Sequence, residues 1–354
     1  MLIVSFGSPS SLSYATANIL RSMGDELFGE HVFIQAMFLE ELREKWFSAE
    51  NQQKKCVILF SDCPHKKISE LVSNVRSPIA LVVEDFAHIV SYVMRSRGME
   101  FAPAARFATQ VVCALAALTS TPRVLRISPS DLSRNLGAFV ESLCQFYGAA
   151  FSDAQIASIM TALAPEGSDI DTLKDYVERH FPHGSDLAEP LRLSPSQRAA
   201  LKVLSDRYAP LTAGRTVSQF VWPTSLFLKW DEPGAFLEGP IELLGPARFI
   251  VCGPYLHLPE GKWRMTVEIE TEHCHSDNRL GADIFSEAIL TAITAKLPPA
   301  GLFAFHLDFE VTNPLAPVEI RIQVLTGCIE GRLALKHVQI DRREERGGIR
   351  APSL

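Results

Sequence analysis

The first residues that could do chemistry form a short turn near the start of the chain, and they are Gly7, Ser8, Pro9, Ser10, Ser11, Leu12 and Ser13. An apolar run, Leu2 to Phe6, precedes the turn, and apolar residues at helical intervals follow it from Tyr14 to Met23. A helix N-terminus presents unpaired N–H groups and partial positive charge, and small residues let an anion approach the backbone. The pattern favours a phosphate-binding turn and an ordinary serine-capped turn equally. It is not a Walker A loop, because no Gly-Lys-Ser/Thr follows.

Two candidate proton acceptors come after the next apolar run, Val57 to Phe60. Asp62 stands where this predicted strand ends, and a carboxylate there acts as a base if burial raises its pKa. His65 is the alternative base. The competing interpretation makes Asp62 a turn residue before Pro64 and the neighbouring Cys63 a structural thiol.

One dense cluster of metal-ligand residue types occurs in the second half of the chain, at positions 272–277. In an extended segment His273 and His275 point to the same face, whereas Cys274 points to the other. No second cluster at a defined spacing completes a zinc pattern. The cluster is therefore interpreted as a polar hairpin end or loop, and no metal site is predicted.

Aromatic side chains in the second half are candidates for stacking on sugars, and they are Trp230, Tyr255, His257 and Trp263. Trp263 lies within an alternating strand pattern, so a place in the core is the competing interpretation. Carbohydrate binding by this half is kept as the less favoured hypothesis.

Short apolar runs alternate with segments of helical period from the start of the chain to about residue 230. Further strands are predicted at Ile79–Val83 and Val124–Ile127, and helices at Lys66–Val75 and Pro103–Leu118. Another helix opens at Ser194-Pro195, a typical N-cap and first helical residue. This alternation predicts an α/β domain in which helices flank a parallel sheet.

The pattern changes after Gly245. Strand-like segments with few intervening helices follow, at Arg248–Cys252, Trp263–Glu270, Phe303–Val311, Val318–Leu325 and Leu333–Ile340. Asp283 to Ala295 is interpreted as a short helix or an irregular strand pair. Such strands are typical of an antiparallel β-sandwich. The predicted domains are 1–235 (α/β) and 240–342 (β-sandwich), followed by a flexible tail at 343–354 that is rich in charge and glycine.

The amino-acid composition and the charge of the chain exclude some classes of function. The chain has 354 residues, 34 Lys and Arg against 41 Asp and Glu, and a net charge of −7. This acidic balance argues against a nucleic-acid partner. No apolar run approaches the roughly 18 residues of a transmembrane helix, and no signal peptide is predicted. The seven cysteines are scattered and odd in number, as in reduced cytosolic proteins, so a cytoplasmic location is expected.

The opening turn resembles the first loop of the sulfotransferases, P-loop-like enzymes that use 3′-phosphoadenosine 5′-phosphosulfate (PAPS). That loop reads Gly-x-Pro-Lys/Arg-Ser-Gly-Thr/Ser-Thr, and the matching residues here are Gly7, Pro9, Ser11 and Ser13. Ser10 replaces the basic residue, Leu12 the second glycine and Tyr14 the last threonine. The resemblance implies that the turn holds the 5′-phosphosulfate.

Two later segments extend the resemblance in the same order along the chain. After Ile79–Val83 the family has Arg-Asp-Pro, and this chain has Glu84-Asp85-Phe86, which reverses the charge expected beside the 3′-phosphate. Ser91 falls on the serine that holds this phosphate in the family. Asp62 falls on the position of the family's catalytic histidine. Val124–Ile127 and the helix after it match the fourth core strand and its helix.

The resemblance implies a transferase that moves a sulfuryl group from PAPS to a hydroxyl of a glycan or small acceptor. Its partners are then a nucleotide-type donor and a possible glycan acceptor. One alternative is a non-catalytic sulfotransferase-like scaffold with a carbohydrate- or protein-binding β-sandwich. Another is a transferase that uses a different nucleotide donor.

Overall fold

A computed structural model of the chain describes residues 1–48, 54, 56–119, 121–148, 152–165, 167–181, 192–232 and 234–343. The chain divides into two compact units. The first is Met1–Ser194 with Ala209–Arg215, and the second is Pro195–Tyr208 with Thr216–Leu354. The predicted flexible tail lies outside the described residues except for Arg343.

The first unit contains a five-stranded parallel sheet with helices around it. Its strands are β1 (Leu2–Gly7), β2 (Val32–Gln35), β3 (Val57–Ser61), β4 (Ile79–Val82) and β5 (Val124–Ile127). Its helices are α1 (Ser11–Phe28), α2 (Leu39–Trp46), α3 (Lys66–Asn74), α4 (Phe86–Arg97), α5 (Phe101–Ala116), α6 (Leu136–Phe146), α7 (Asp153–Leu163) and α8 (Leu173–His180). The predicted α/β fold class is confirmed, and α2 and β2 are additions that the sequence analysis missed.

The strand order β2-β3-β1-β4-β5 puts β1 at the centre of this sheet. All residues of β3 and β4 are buried, as are Ile3 to Gly7 of β1, because helices cover both faces of a parallel sheet. The carboxyl ends of β3, β1 and β4 therefore lie side by side at one edge. In open α/β sheets this edge is where ligands usually bind.

The second unit contains two antiparallel sheets, as predicted for a β-sandwich. One has the order β13-β12-β15-β9-β7, with β10 paired to β15, and the other has the order β14-β11-β16-β6, with β8 paired to β16. The bounds are β6 (Gln219–Val221), β7 (Leu228–Lys229), β8 (Ile241–Glu242), β9 (Arg248–Cys252), β10 (Pro254–Leu256), β11 (Gly261–Glu272), β12 (Arg279–Ser286), β13 (Ala288–Lys296), β14 (Gly301–Val311), β15 (Val318–Val324) and β16 (Arg332–Arg342). Helix α9 (Pro195–Thr212) precedes them.

Two details of the second unit differ from the sequence analysis. The segment Asp283 to Ala295 forms most of the paired strands β12 and β13, with a register shift between Ile284 and Phe285, so the irregular strand pair is confirmed and the helical alternative is wrong. Residues 219–229, which the analysis placed in the α/β domain, contribute β6 and β7 to the sheets of the second unit. Both strands are too short to show a readable alternation of apolar and polar residues.

None of the described helices combines the length and the hydropathy that crossing a lipid bilayer would require.

Candidate functional site

The serine-rich turn lies at the carboxyl edge of the first sheet, between β1 and α1, where the sequence analysis expected it. The backbone N–H of Ser8 donates to the carbonyl oxygen of Val82 at 3.0 Å. The N–H of Glu84 donates to the Ser8 hydroxyl at 3.1 Å. Both hydrogen bonds fix the turn against the end of β4.

The interior of this turn is filled by its own hydroxyl groups. The Ser13 hydroxyl donates to the carbonyl oxygen of Ser8 at 2.5 Å, and the Ser13 N–H donates to the Ser10 hydroxyl at 3.1 Å. A Cβ atom on Gly7 would lie 2.3 Å from the Ser13 hydroxyl oxygen, so only glycine permits this close approach. The side chains of Ser8, Ser10 and Ser13 are fully buried. We call residues Gly7–Ser13 the serine turn.

Space for a phosphate is lacking beside Ser8. The cavity there, which Val83, Ile89 and Val112 also line, has a volume of about 10 Å³, close to the minimum for one water molecule. The hydroxyl of Ser11 is buried and has no hydrogen-bond partner among the described residues. Because the Ser13 hydroxyl fills the interior of the turn, the residues present do not fit a phosphosulfate group.

The charge beside the serine turn also opposes a phosphate. Glu84, which is only 2% exposed, places its Oε2 3.1 Å from Nδ1 of His88, one helical turn along α4. This buried carboxylate stands where the sulfotransferase resemblance expects an arginine. Ser91, the predicted ligand of the 3′-phosphate, is partly buried and makes no hydrogen bond to another described residue.

Asp62 lies at the same edge, after β3, and its Oδ2 atom is already engaged. It accepts a hydrogen bond from the Tyr14 hydroxyl at 2.9 Å and pairs with the guanidinium of Arg97. Burial raises the pKa of Tyr14, and the Asp62 carboxylate raises it further. The Arg97 guanidinium also lies 4.9 Å from the centre of the Phe107 ring. Asp62 is therefore a buried carboxylate that already has two partners, one of them the partly buried guanidinium of Arg97.

His65 caps a helix. Its Nδ1 accepts a hydrogen bond from the Lys67 N–H at 3.4 Å at the start of α3, and its ring lies 5.5 Å from that of Phe38. Burial raises the pKa of the neighbouring Cys63 to about 12, so this thiol stays protonated at neutral pH, as expected for a structural cysteine.

The His273–His275 cluster of the second unit does not form a metal centre in the part of the chain that the structure describes, where no group of three ligand residues converges. The two imidazole rings are 6.5 Å apart. The His275 N–H donates to Glu330 at 3.0 Å, which fits the predicted polar loop.

A second candidate site, which the sequence analysis missed, lies on one face of the sheet that contains β12 and β15. Its members alternate with the buried core residues of their strands and are Phe249, Asp283, Phe285, Glu319 and Arg321. We call this set the β12–β15 face. Charged residues two positions apart within apolar strands were the available signal.

Arg321 is the centre of the β12–β15 face. Its Nε donates to Asp283 at 2.7 Å, and its guanidinium lies 4.4 Å from the ring centre of Phe285 and 5.5 Å from that of Phe249. Its Nη groups have no hydrogen-bond partner among the described residues. The guanidinium is therefore held in place and still has donors available.

Glu319 adds an acceptor to this face. Tyr255 hydrogen-bonds to its carboxylate, but Oε2 is buried without a hydrogen-bond partner among the described residues. Burial, the main cause, raises the pKa of Glu319. Such an orphaned buried oxygen costs about 1–3 kcal/mol unless another molecule supplies a donor.

The aromatic candidates from the sequence separate into two groups. Trp230 is 44% exposed and packs on Phe249 with the ring centres 4.7 Å apart, so it extends the β12–β15 face. Trp263 is fully buried and donates to the carbonyl oxygen of Pro259 at 3.1 Å. His257 is also buried, and its carbonyl accepts from the Tyr208 hydroxyl.

No protein-family model matches the chain, and no curated protein sequence matches it. Among solved structures, mouse sulfotransferase SULT7A1 complexed with PAP is similar to 60% of this chain and to 87% of its own, with 12% identity and a TM-score of 0.40. TmCBM61 in complex with β-1,4-galactotriose matches 33% of this chain and 81% of its own, at 11% identity and a TM-score of 0.23.

The N-terminal cellulose-binding domain of Cellulomonas fimi β-1,4-glucanase C matches 34% of this chain and 90% of its own, at 14% identity and a TM-score of 0.24. At such identities and TM-scores these similarities carry no argument about function. The sheets of the structure themselves define the fold class, an α/β unit built on a parallel sheet followed by an antiparallel β-sandwich.

Proposed function

We propose that this protein binds carbohydrate through the β12–β15 face and that its α/β unit is a sulfotransferase-like scaffold without catalytic activity. The orphaned Oε2 of Glu319, held beside the free donors of Arg321, is the observation that carries the proposal. A sugar hydroxyl both donates and accepts hydrogen bonds, so one hydroxyl pair satisfies both residues. Trp230 supplies an exposed ring on which the apolar face of a sugar stacks.

The loss of catalysis rests on the serine turn and its surroundings. Sulfuryl transfer requires cations or donors that take up charge on the leaving phosphate. Ser10 stands at the position of the family's basic residue, and Glu84 brings a buried carboxylate instead of an arginine. The hydroxyl of Ser13 occupies the space inside the turn.

The direct test is a calorimetric titration of the full chain with β-1,4-linked oligosaccharides, using galactotriose and cellotetraose. We expect saturable binding by the wild type and a loss of about 30-fold for Trp230→Ala, since an aromatic anchor contributes about 2 kcal/mol. Leu302→Ala is the matched control, because Leu302 is an exposed apolar residue on β14 of the other sheet.

Binding that Trp230→Ala leaves unchanged would place the sugar elsewhere, and the absence of binding to either oligosaccharide would contradict the choice of β-linked sugars. Glu319→Gln gives a second measurement, because an amide keeps the shape of the side chain but removes the carboxylate. We expect it to weaken binding while the thermal midpoint of the protein stays at or above that of the wild type.

A second candidate function is sulfuryl transfer from PAPS with Asp62 or His65 as the base. The buried, unpartnered hydroxyl of Ser11 at the start of α1 is the observation that favours it. Thermal unfolding with adenosine 3′,5′-bisphosphate separates the two candidates. A donor-site binder gains about 2.7 kcal/mol at about 100 times its dissociation constant, whereas we expect no shift at millimolar ligand. A shift with a nucleotide sugar instead would support the alternative of another donor.

A further inference from the structure

A large apolar cleft lies in the first unit, at the amino ends of β1 and β3. Its volume is about 630 Å³, and Leu2 and Val57, the first residues of these strands, contribute to its lining. The serine turn and Asp62 follow the carboxyl ends of the same strands. The cleft is therefore a separate site from the edge described above, and we call it the amino-end cleft.

Two helices form the walls of the amino-end cleft. From α2 come Leu39, Leu42 and Trp46, whose spacing of three and four residues puts them on one helix face. From α3 come Leu71 and Val75, which are 39% and 55% exposed. Phe47, just after α2, is 62% exposed. A contiguous set of large apolar side chains in contact with water is typical of a binding site.

Among the described residues that line this cleft, one has a cationic side chain. Arg43 lies on the same face of α2 as Leu39 and Trp46, lines the cleft, and has no side-chain hydrogen bond or ion pair with another described residue. Three of the other charged residues of α2 are engaged elsewhere. Glu40 pairs with Lys67, Glu41 accepts from the Met37 N–H, and Lys45 donates to the carbonyl oxygen of Gln35.

We propose that the amino-end cleft binds a long-chain carboxylate, with its alkyl chain among the apolar side chains and its carboxylate on the Arg43 guanidinium. The volume lies within the range of small-molecule sites, which are mostly apolar with a few polar groups that fix orientation. A guanidinium pairs with a carboxylate through two parallel hydrogen bonds. An apolar cleft in which Arg43 is the cationic side chain of the described lining complements this ligand in shape and in charge.

The test uses the full chain with laurate and with dodecanol, which has the same alkyl chain and no charge. Displacement of a fluorescent fatty acid measures both affinities. We expect saturable binding of one laurate per chain and weaker binding of dodecanol. Arg43→Gln should weaken laurate about tenfold and leave dodecanol unchanged. Arg179→Gln is the matched control, because Arg179 is an exposed arginine of α8 that does not line the cleft.

A second variant tests the apolar part of the site. Val75→Trp fills the cleft from an exposed position, so it should abolish binding of both probes while circular dichroism shows an unchanged thermal midpoint. No saturable binding, equal affinity for laurate and dodecanol, or binding that resists both variants would overturn the proposal. Analytical ultracentrifugation provides one more outcome that would contradict the proposal. In that outcome the wild type is a dimer, it binds no laurate, and Val75→Trp dissociates the dimer.

Discussion

The serine turn and the β12–β15 face both bury polar groups, but they differ in how far these groups form hydrogen bonds within the protein. In the serine turn the hydroxyls of Ser10 and Ser13 bond to their own loop. On the β12–β15 face the Oε2 atom of Glu319 and the Nη groups of Arg321 have no hydrogen-bond partner among the described residues. The serine turn leaves one buried group without a partner among the described residues, the Ser11 hydroxyl, whereas the β12–β15 face leaves an acceptor and donors together. Since buried polar groups are nearly always paired, we expect a ligand on the second region rather than on the first.

A position at which proteins of this fold commonly bind ligands is therefore not sufficient evidence for a binding site. The serine turn lies at the sheet edge where α/β proteins commonly bind ligands, yet its interior is closed. The β12–β15 face is built on paired strands that hold Asp283 directly opposite Arg321. We therefore choose the candidate binding site by its unsatisfied polar groups and not by its position in the fold.

The largest expected effect concerns the ion pair beside the serine turn. Arg97→Met leaves the Asp62 carboxylate buried without its cation, and breaking such a pair costs about 3 kcal/mol. Urea unfolding followed by far-UV circular dichroism measures the loss. The control is Lys174→Met, which removes an exposed pair with Glu178 on α8 and should cost less than about 0.5 kcal/mol.

The double variant Asp62→Asn with Arg97→Met removes both charges and should recover part of that loss. If Arg97→Met alone costs under about 1 kcal/mol, Asp62 is solvated without its partner. That result would contradict a structural role for the Asp62–Arg97 pair, and Asp62 would again be a candidate base.

A smaller effect is expected at Gly7. The added methyl of Gly7→Ala meets the Ser13 hydroxyl at 2.3 Å and the Val82 side chain at 3.1 Å, so we expect a loss of about 2 kcal/mol from overpacking. Ser13→Ala alone should cost about 1 kcal/mol through its lost hydrogen bond.

In the double variant the two losses should not add, with a coupling of at least about 0.5 kcal/mol, because Ser13→Ala removes the nearest obstacle. Denaturation of the single variants and the double variant gives this coupling directly. A neutral Gly7→Ala would show that the serine turn is open, and it would restore the case for an anion there.

The helices and strands were predictable where apolar residues recur at the spacing of a helix or a strand. In the first unit, apolar strands alternate with helical segments. In β11, the alternating residues Trp263, Met265 and Val267 are buried. Both patterns predict which side chains are buried. The helix α2 was missed because it is short and mostly charged, with Leu42 as its only buried residue. The strand β2 has four residues, too few for a clear pattern.

The sites were less predictable because they depend on residues far apart in the sequence. The start of α1 was expected, but the direction of the Ser13 hydroxyl depends on the approach of Gly7 to it. Asp62 meets Arg97 across 35 positions, and Asp283 meets Arg321 across 38. Such pairs are set by sheet register and helix packing, which a single sequence does not reveal.

The smallest expected effect is a pH dependence at Glu319. Because burial raises the pKa of this carboxyl above its ordinary value of 4.5, the folded state binds its proton more tightly than the unfolded state does. The stability from this group is fully present below the unfolded pKa and is lost as the pH rises through the folded pKa.

Glu319→Gln has no such proton, so its stability relative to the wild type should increase as the pH rises above the ordinary carboxyl pKa of 4.5. Unfolding followed by tryptophan fluorescence suits this measurement, since Trp222, Trp230 and Trp263 all lie in the second unit. The exposed Glu310→Gln on β14 serves as the reference. A flat difference across this range would mean that Glu319 is solvated, and the orphaned oxygen on which the glycan proposal depends would then already have water as its partner.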